Sequence, residues 1–349
     1  METPFNNAFI LSGGGTRLMV YLGMFAALEK LNRKPDVLIA TCGGAFAATV
    51  INAFPDNESR KEYLKSQDYF NFVTKVQLTT ENKLSRIGLL SLRKIREKRN
   101  APFIENVIGK YLAEMNQDLS SHFPYLEKIS FSKEIPTLII GSEILFDPKN
   151  IGQERNHRKL YQKVIFTDSM TARKIDLKKL GLSSENFMNS AVSANIKVKT
   201  DLSMLNSARI SVSDMFYVAP VFLEDKYYAG GAIDLIPIEL ARHLAKTVIV
   251  EEKQSYTLVE EAFVRAVLGY SGNQRLDEIK CQKADFQIDT SHIKTELKGH
   301  YIKKTINWRK LEVSLSLPKS YGQFRKDMDR QWNYGFQQTM NCFPKRDID

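Results

Sequence analysis

The chain has 349 residues, of which 43% are apolar, and carries 50 Lys and Arg against 40 Asp and Glu for a formal charge of +10. That length and apolar content predict a large buried core in one α/β domain with insertions or a C-terminal extension. No apolar run approaches the ~18 residues of a membrane span, no signal-peptide pattern opens the chain, and no internal repeat suggests a solenoid, so a soluble protein is expected.

The first apolar run, Ala8-Phe9-Ile10-Leu11, leads into Gly13-Gly14-Gly15-Thr16-Arg17, after which Met19, Leu22, Gly23, Phe25, Ala26 and Leu28 recur at helical spacing. The glycines therefore form a strand-to-helix turn. Its unpartnered N–H groups lie at the positive end of a helix dipole, which makes an anion cradle. Three consecutive glycines also cost more backbone entropy than a simple turn requires. A dinucleotide site would want an acid ending the next strand, whereas Asp36 precedes it; a P-loop would end in Gly-Lys-Ser/Thr, whereas Leu18-Met19 follow here. An oxyanion hole one strand away from a nucleophile fits best.

Val37-Leu38-Ile39 predicts the next strand, which delivers Cys42 onto a tight turn. Gly43-Gly44 then lets the Ala/Phe-rich helix running through Asn52 pack close behind it. Cys42 is the candidate nucleophile, and the backbone N–H groups of Gly13, Gly14, Gly15 and Gly43 are the candidate oxyanion donors.

A helical region is expected to about residue 130 and a strand at 136–141. Residues 142–200, charged and Ser/Asn-rich, read as a partly irregular insertion with apolar strands such as Val164-Ile165-Phe166. The segment 215–251 returns to strand, turn, helix and the strand Thr247-Val248-Ile249-Val250. Alternation of this kind implies a three-layer α/β fold, a mostly parallel central sheet with helices on both faces, and a site at the carboxyl ends of its strands. Residues 5–290 would form this domain. Residues 291–349 would be a basic C-terminal extension whose last helix packs on it through Trp332 and Phe336.

The two glycine motifs resemble those of the patatin-like phospholipase family, whose members open with a strand, a Gly-Gly-Gly-x-Arg-Gly turn, a helix, and a strand ending in Gly-x-Ser-x-Gly. Here these read Gly13-Gly14-Gly15-Thr16-Arg17-Leu18 and Ala40-Thr41-Cys42-Gly43-Gly44. Ile135 to Gly141 is similar to the family's middle strand. Ser207-Ala208-Arg209 followed by Phe216 to Val221 is similar to the segment before its second catalytic motif. Tyr228-Ala229-Gly230-Gly231, with Pro237 trailing, is similar to its Asp-Gly-Gly/Ala turn. The resemblance implies a patatin-like fold, a fatty-acyl ester or thioester as substrate, Arg17 as a support of the oxyanion turn, and Ala229 with Gly230 and Gly231 as a degenerate catalytic-acid position.

Serine needs a base to become a nucleophile, whereas a thiol has an ordinary pKa near ~8.5 that a helix N-terminus and a cation can lower. Cys42 is thus expected to be ionised without an acidic partner, since an adjacent carboxylate would oppose ionisation. A missing base would slow hydrolysis of a Cys42 thioester more than transfer to an amine, alcohol or thiol. The expectation is an acyl-thioester on Cys42 passed to an acceptor, by an acyltransferase or slow acyl hydrolase. The competing reading is a silent homologue that binds lipid or protein. Asp234 and Asp225 are secondary candidates for a base. A Cys-His protease is a runner-up chemistry only by default, since none of the five histidines lies near a cysteine in sequence. No histidine shows metal-site spacing, so no metal or cofactor is expected.

Three widely spaced cysteines give no disulfide framework and point to a reducing, cytoplasmic compartment. Positive charge gathers in two stretches: residues 83–110 hold eight Lys/Arg against two acids, and residues 298–349 hold eleven against five. The stretch Leu84 to Arg99 mixes Leu and Ile with Arg and Lys as an interfacial helix does, implying peripheral contact with an anionic membrane; an ordinary solvated basic face is the plainer reading. Nucleic acid is not expected, because no recognisable module is present and the aromatics of residues 308–336 are not interleaved with glycine.

Overall fold

The computed structural model describes residues 3–177, 180, 185–282 and 284–343. β1 (Phe5–Leu11) runs through the triple-glycine turn into α1 (Leu18–Lys30), and β2 (Val37–Thr41) runs through Cys42 into α2 (Gly43–Ala53). Helices α3 (Asn57–Leu64), α4 (Gln67–Thr74) and α5 (Leu84–Arg96) follow, and then only the single turn α6 (Pro124–Glu127). The helical stretch expected to reach residue 130 therefore largely ends at Arg96. Between α5 and α6 the backbone reaches distant segments: Ala101 N–H to Arg265 O, Ile104 N–H to Gln153 O, and Leu112 and Ala113 N–H to the carbonyls of Phe216 and Tyr217.

The middle of the chain supplies β3 (Thr137–Ile144), β4 (Tyr161–Phe166), α7 (Ser169–Ala172), α8 (Glu185–Met188), β5 (Val192–Lys199) and α9 (Met204–Ser211). After it come β6 (Val221–Leu223), β7 (Lys226–Ala229), α10 (Ile238–Leu244), β8 (Ala245–Glu251), α11 (Leu258–Leu268), α12 (Gly272–Cys281) and β9 (Phe286–Ile288). The chain closes with α13 (Ile293–Glu296), the hairpin β10 (Lys303–Asn307) and β11 (Glu312–Ser316), and α14 (Tyr321–Cys342).

Among the described residues nine strands form one sheet, with the order β5-β4-β3-β2-β1-β8-β9 and the β6–β7 ribbon attached to β3. Its centre is parallel, while β4 and β7 run antiparallel to β3. Residues 142–200, read from sequence as an insertion, thus build one edge of the central sheet through β4 and β5. β1, β2 and β3 are buried almost throughout, and successive residues serve opposite layers. Phe9, Leu11, Leu38 and Ile139 join the core beneath α1, α2 and α14, whereas Ala8, Ile10, Ile39 and Leu138 join the one beneath α10 and α11. This is the fold that a parallel sheet covered on both faces requires.

Two close approaches position the site. A Cβ on Gly44 would lie 1.9 Å from Leu11 O, so α2 starts with its backbone against the end of β1. α1 is clamped on its other side by α14, where a Cβ on Gly23 would lie 2.1 Å from Trp332 O and one on Gly335 would lie 2.0 Å from Val20 O. Two glycines, one per helix, let these backbones touch.

Candidate active site

Cys42 sits between β2 and α2 with φ 48° and ψ −128°. For a non-glycine residue this is strained backbone, which persists only where surroundings over-determine it. The Cys42 N–H donates to Ser211 Oγ at 2.8 Å, and Ser211 Oγ in turn donates to Ile140 O at 2.6 Å, so α9 ties the elbow to β3. Thr41 Oγ1 donates to Leu235 O at 2.8 Å on the other side. The bend holds the Cys42 side chain, which is partly exposed, over the ends of β1 and β2.

The triple-glycine turn faces it. A Cβ on Gly13 would lie 3.0 Å from Cys42 Cβ and 3.4 Å from its sulfur, and the Gly43 N–H is directed to that sulfur. Gly15 has φ 61°, and its carbonyl lies so close to Gly43 that a Cβ there would be 2.5 Å away. Among the described residues no protein group accepts from the N–H of Gly14 or Gly15. The carbonyls of Gly14 and Gly13, in contrast, are held by cations. Arg17 Nε donates to Gly14 O at 3.1 Å while its guanidinium lies 5.6 Å over the Tyr301 ring, and Lys253 Nζ donates to Gly13 O. Pinning the carbonyls away from the site leaves amide hydrogens to face an oxyanion.

Lys253 belongs to a network that sequence reasoning did not find. Its ammonium also bonds Glu251 Oε2 and Tyr21 Oη; the Tyr21 hydroxyl donates to Glu251 Oε2 at 2.6 Å and lies against the Ser12 carbonyl, and Thr290 Oγ1 donates to Glu251 Oε1 at 2.8 Å. Burial pulls the pKa of the Lys253 ammonium below its ordinary value in spite of Glu251. Burial alone would raise the Glu251 carboxyl, but Lys253 and Tyr21 hold it below its ordinary range. The signal available in sequence was only Glu251-Glu252-Lys253 at the end of β8, the strand beside β1.

The main departure from the sequence reading concerns the acid. Ala229 ends β7, buried and paired with Ser142 of β3, and offers no proton acceptor. Asp225 lies in the β6–β7 turn with φ 59°, and Asp234 is buried in ion pairs with Lys163 and Arg275, so neither acts on Cys42. Asp214 is the carboxylate beside Cys42: the two groups lie close enough to shift each other's titration. The loop after α9 delivers it. The Gly230 N–H donates to Ser213 O at 2.8 Å and the Ala232 N–H donates to Asp214 Oδ1 at 3.2 Å, so the Ala-Gly-Gly turn cradles a carboxylate supplied from 15 residues upstream of Ala229. Fully buried Arg209 rivets this loop by donating to the carbonyls of Met115, Asn116 and Ala219 and to Ser213 Oγ.

The expected thiolate is therefore corrected. Burial first, and then the negative charge of Asp214, push the Cys42 thiol well above its ordinary value, outweighing the Gly43 N–H and Lys253. Burial raises Asp214 to about 6, with the neighbouring Cys42 thiol and the Ala232 N–H opposing. At neutral pH the pair is a protonated thiol on an ionised acceptor, the arrangement of a nucleophile with its own base. Tyr217, pushed to about 12 by burial and then by the charges of Cys42 and Asp214, stands at the rim. Among the described residues no group of His, Cys, Asp and Glu could hold a metal ion.

Elbow, glycine turn and small-residue turn occupy the carboxyl ends of β2, β1 and β7 in the order of a patatin site. The Patatin-like phospholipase family model matches residues 9–242, more than half of the chain, and the protein belongs to that family. The chain is similar to VipD from Legionella pneumophila, at 12% sequence identity and a TM-score of 0.37, covering 97% of this chain and 67% of that one. It is also similar to human GIVD cytosolic phospholipase A2, at 11% identity and a TM-score of 0.39, covering 97% of this chain and 59% of the human one, less than two thirds of its length. A search of curated protein sequences finds no match.

Proposed function

We propose that the protein transfers fatty-acyl groups through a thioester on Cys42, with Asp214 as the general base. The placement of the Asp214 carboxylate beside the Cys42 thiol, held there by the Ala232 N–H, supports this reading above all other observations. The sulfur attacks the acyl carbonyl as its proton passes to Asp214, and the oxyanion lies among the N–H groups of Gly14, Gly15 and Gly43. Collapse breaks the ester C–O bond, and the leaving alkoxide takes the proton from Asp214. Water or another acceptor then gives its proton to Asp214, attacks the thioester, and expels the sulfur, which recovers that proton.

Asp214 alters the balance between transfer and hydrolysis. With a base beside the thioester, water is activated as readily as an alcohol or amine, so acyl hydrolysis joins acyl transfer as an outcome. A lipid source for the acyl group follows from membership of the family, and the exposed Leu89 and Leu92 of α5, flanked by Arg86, Arg93 and Arg96, favour an anionic membrane as its setting. No helix among the described residues is long and apolar enough to cross a membrane.

Intact-mass analysis after incubation with a long-chain acyl ester tests this function. The expected result is an acyl increment on the parent protein that is removed by hydroxylamine and absent from Cys42→Ala. No increment and no product release with esters, thioesters or phospholipid would leave the protein as a binding homologue.

A further inference from the structure

The β10–β11 hairpin forms a two-stranded sheet apart from the central sheet, bridged at Glu312 to Lys83, and its tip is Trp308-Arg309-Lys310-Leu311. A two-stranded hairpin is marginal on its own, so its side chains would be expected to turn inward. Here Trp308 is 72% exposed and Leu311 58% exposed, with Ile306 half exposed just below them. Residues 303–311 carry Lys303, Lys304, Arg309 and Lys310 and no acid. Two large apolar side chains beside two cations on one tip are costly in water and suited to a boundary between hydrocarbon and anionic headgroups.

The tip is held in place rather than loose. The Leu84 N–H at the start of α5 donates to Leu311 O at 2.8 Å, Asn82 Nδ2 donates to Val313 O at 3.2 Å, and Lys83 pairs with Glu312 at 2.6 Å. Tip and α5 thus form one surface, continued by Leu89 and Leu92 with their flanking arginines. The base of the hairpin reaches the site: Thr16 Oγ1 beside the glycine turn donates to Ile302 O at 3.2 Å, and Lys304 Nζ lies 4.7 Å from the ring centre of Tyr217 at the rim of the Cys42–Asp214 pair.

We propose that the tip Trp308–Leu311, together with the outer face of α5, docks the protein on an anionic lipid bilayer, with Trp308 and Leu311 entering the headgroup layer and the mouth of the Cys42 site beside it. This rests on the acyl-transfer reading for its purpose but not for its test. Charge complementarity selects the partner: the surface presents cations around an apolar centre, which an anionic leaflet matches.

The chain has two tryptophans, and Trp332 is stacked on Phe336 within α14, so a change in indole emission on vesicle binding reports Trp308. Vesicles of phosphatidylcholine, with and without phosphatidylserine, are mixed with Cys42→Ala protein. A blue shift and flotation with the anionic vesicles are expected, with the shift lost in Trp308→Phe. Arg309→Gln/Lys310→Gln should partition about twentyfold less, since each cation near an anionic leaflet is worth on the order of fivefold. Failure of the Cys42→Ala protein to float, or equal flotation of the charge variant, overturns the docking surface. Adduct formation on Cys42 from a water-soluble short-chain ester is scored separately, so a protein that acylates in solution but ignores vesicles refutes only the docking. One that docks through the tip but never acylates refutes only the acyl-transfer function.

Discussion

The Asp214 carboxylate occupies the space that a side chain on Gly230 would need: a Cβ there would lie 2.3 Å from Asp214 Oδ1 and 2.7 Å from its backbone nitrogen. Gly230→Ala must therefore displace either the carboxylate or the loop that carries it. Loss of acyl transfer by about two orders of magnitude is expected, the usual worth of a positioned base, with stability reduced by about 1–3 kcal/mol for a backbone clash. Initial rates on a soluble ester and urea midpoints check both. Full activity in Gly230→Ala would show that Asp214 is not the base.

The pH dependence has a definite sign. Asp214 accepts the thiol proton only when ionised, so with its carboxyl at about 6, kcat/KM should rise with pH and reach half its plateau near there. Asp214→Asn should remove that limb and lower the plateau by roughly 10²- to 10⁴-fold. Stability runs the other way. The folded carboxyl titrates above its ordinary value of about 3.9, so ionisation costs stability above about pH 6, and the cost is relieved as pH falls from 6 towards 4. Asp214→Asn should then be more stable than the parent at pH 8, by on the order of 3 kcal/mol, with the gap closing by about pH 4. Chemical denaturation at the two pH values measures it.

Much of this site could be read in the chain because backbone motifs write themselves in glycine. Gly43 and Gly44 mark where a neighbouring backbone carbonyl leaves no room for a side chain, Gly13 packs against Cys42 and Leu235, and Gly15 takes a positive φ that favours glycine. Cys42 stands out by its place between a strand and those glycines. Asp214 left no such mark. It lies in Ser211-Val212-Ser213-Asp214, between two segments recognised as family-like, and reaches the thiol only because the loop after α9 folds under the Ala-Gly-Gly turn. The one clue was a vacancy: Ala229, Gly230 and Gly231 in a row leave room for a side chain from elsewhere. β4 was legible as the apolar strand Val164-Ile165-Phe166, but β5 was not, since a charged edge strand carries little of the apolar pattern that marks a central one.

Lys253 offers a test of how the glycine turn is held. Its ammonium is the partner of the buried Glu251 carboxylate and also the donor to Gly13 O. Lys253→Met would strand Glu251 in the interior, a loss of about 3–5 kcal/mol for a broken buried pair. Lys253→Met/Glu251→Gln should recover much of that stability, because the uncompensated charge is gone. It should not recover the rate, because Gly13 O remains without its cation and the turn is free to rotate its amides away from the sulfur. A kcat that stays low while the denaturation midpoint returns is the expected pattern. A kcat that returns with stability would reduce Lys253 to a partner for Glu251.

The crossing of α1 and α14 makes a prediction in which the same substitution has opposite signs at different helical glycines. Gly23→Ala and Gly335→Ala each drive a methyl into a carbonyl oxygen of the facing backbone, which no rotamer change relieves. Each should lower stability by at least ~1–3 kcal/mol. Gly88 lies inside α5 with no atom within 4 Å of where its Cβ would stand, so Gly88→Ala should stabilise by about 0.5–1 kcal/mol through helix propensity and a less flexible unfolded chain. α1 begins directly after the oxyanion turn, so parting it from α14 should also move Gly14 and Gly15. Activity per folded molecule is therefore expected to fall in Gly335→Ala and to be unchanged in Gly88→Ala, which denaturant titrations paired with rates on a soluble ester would establish.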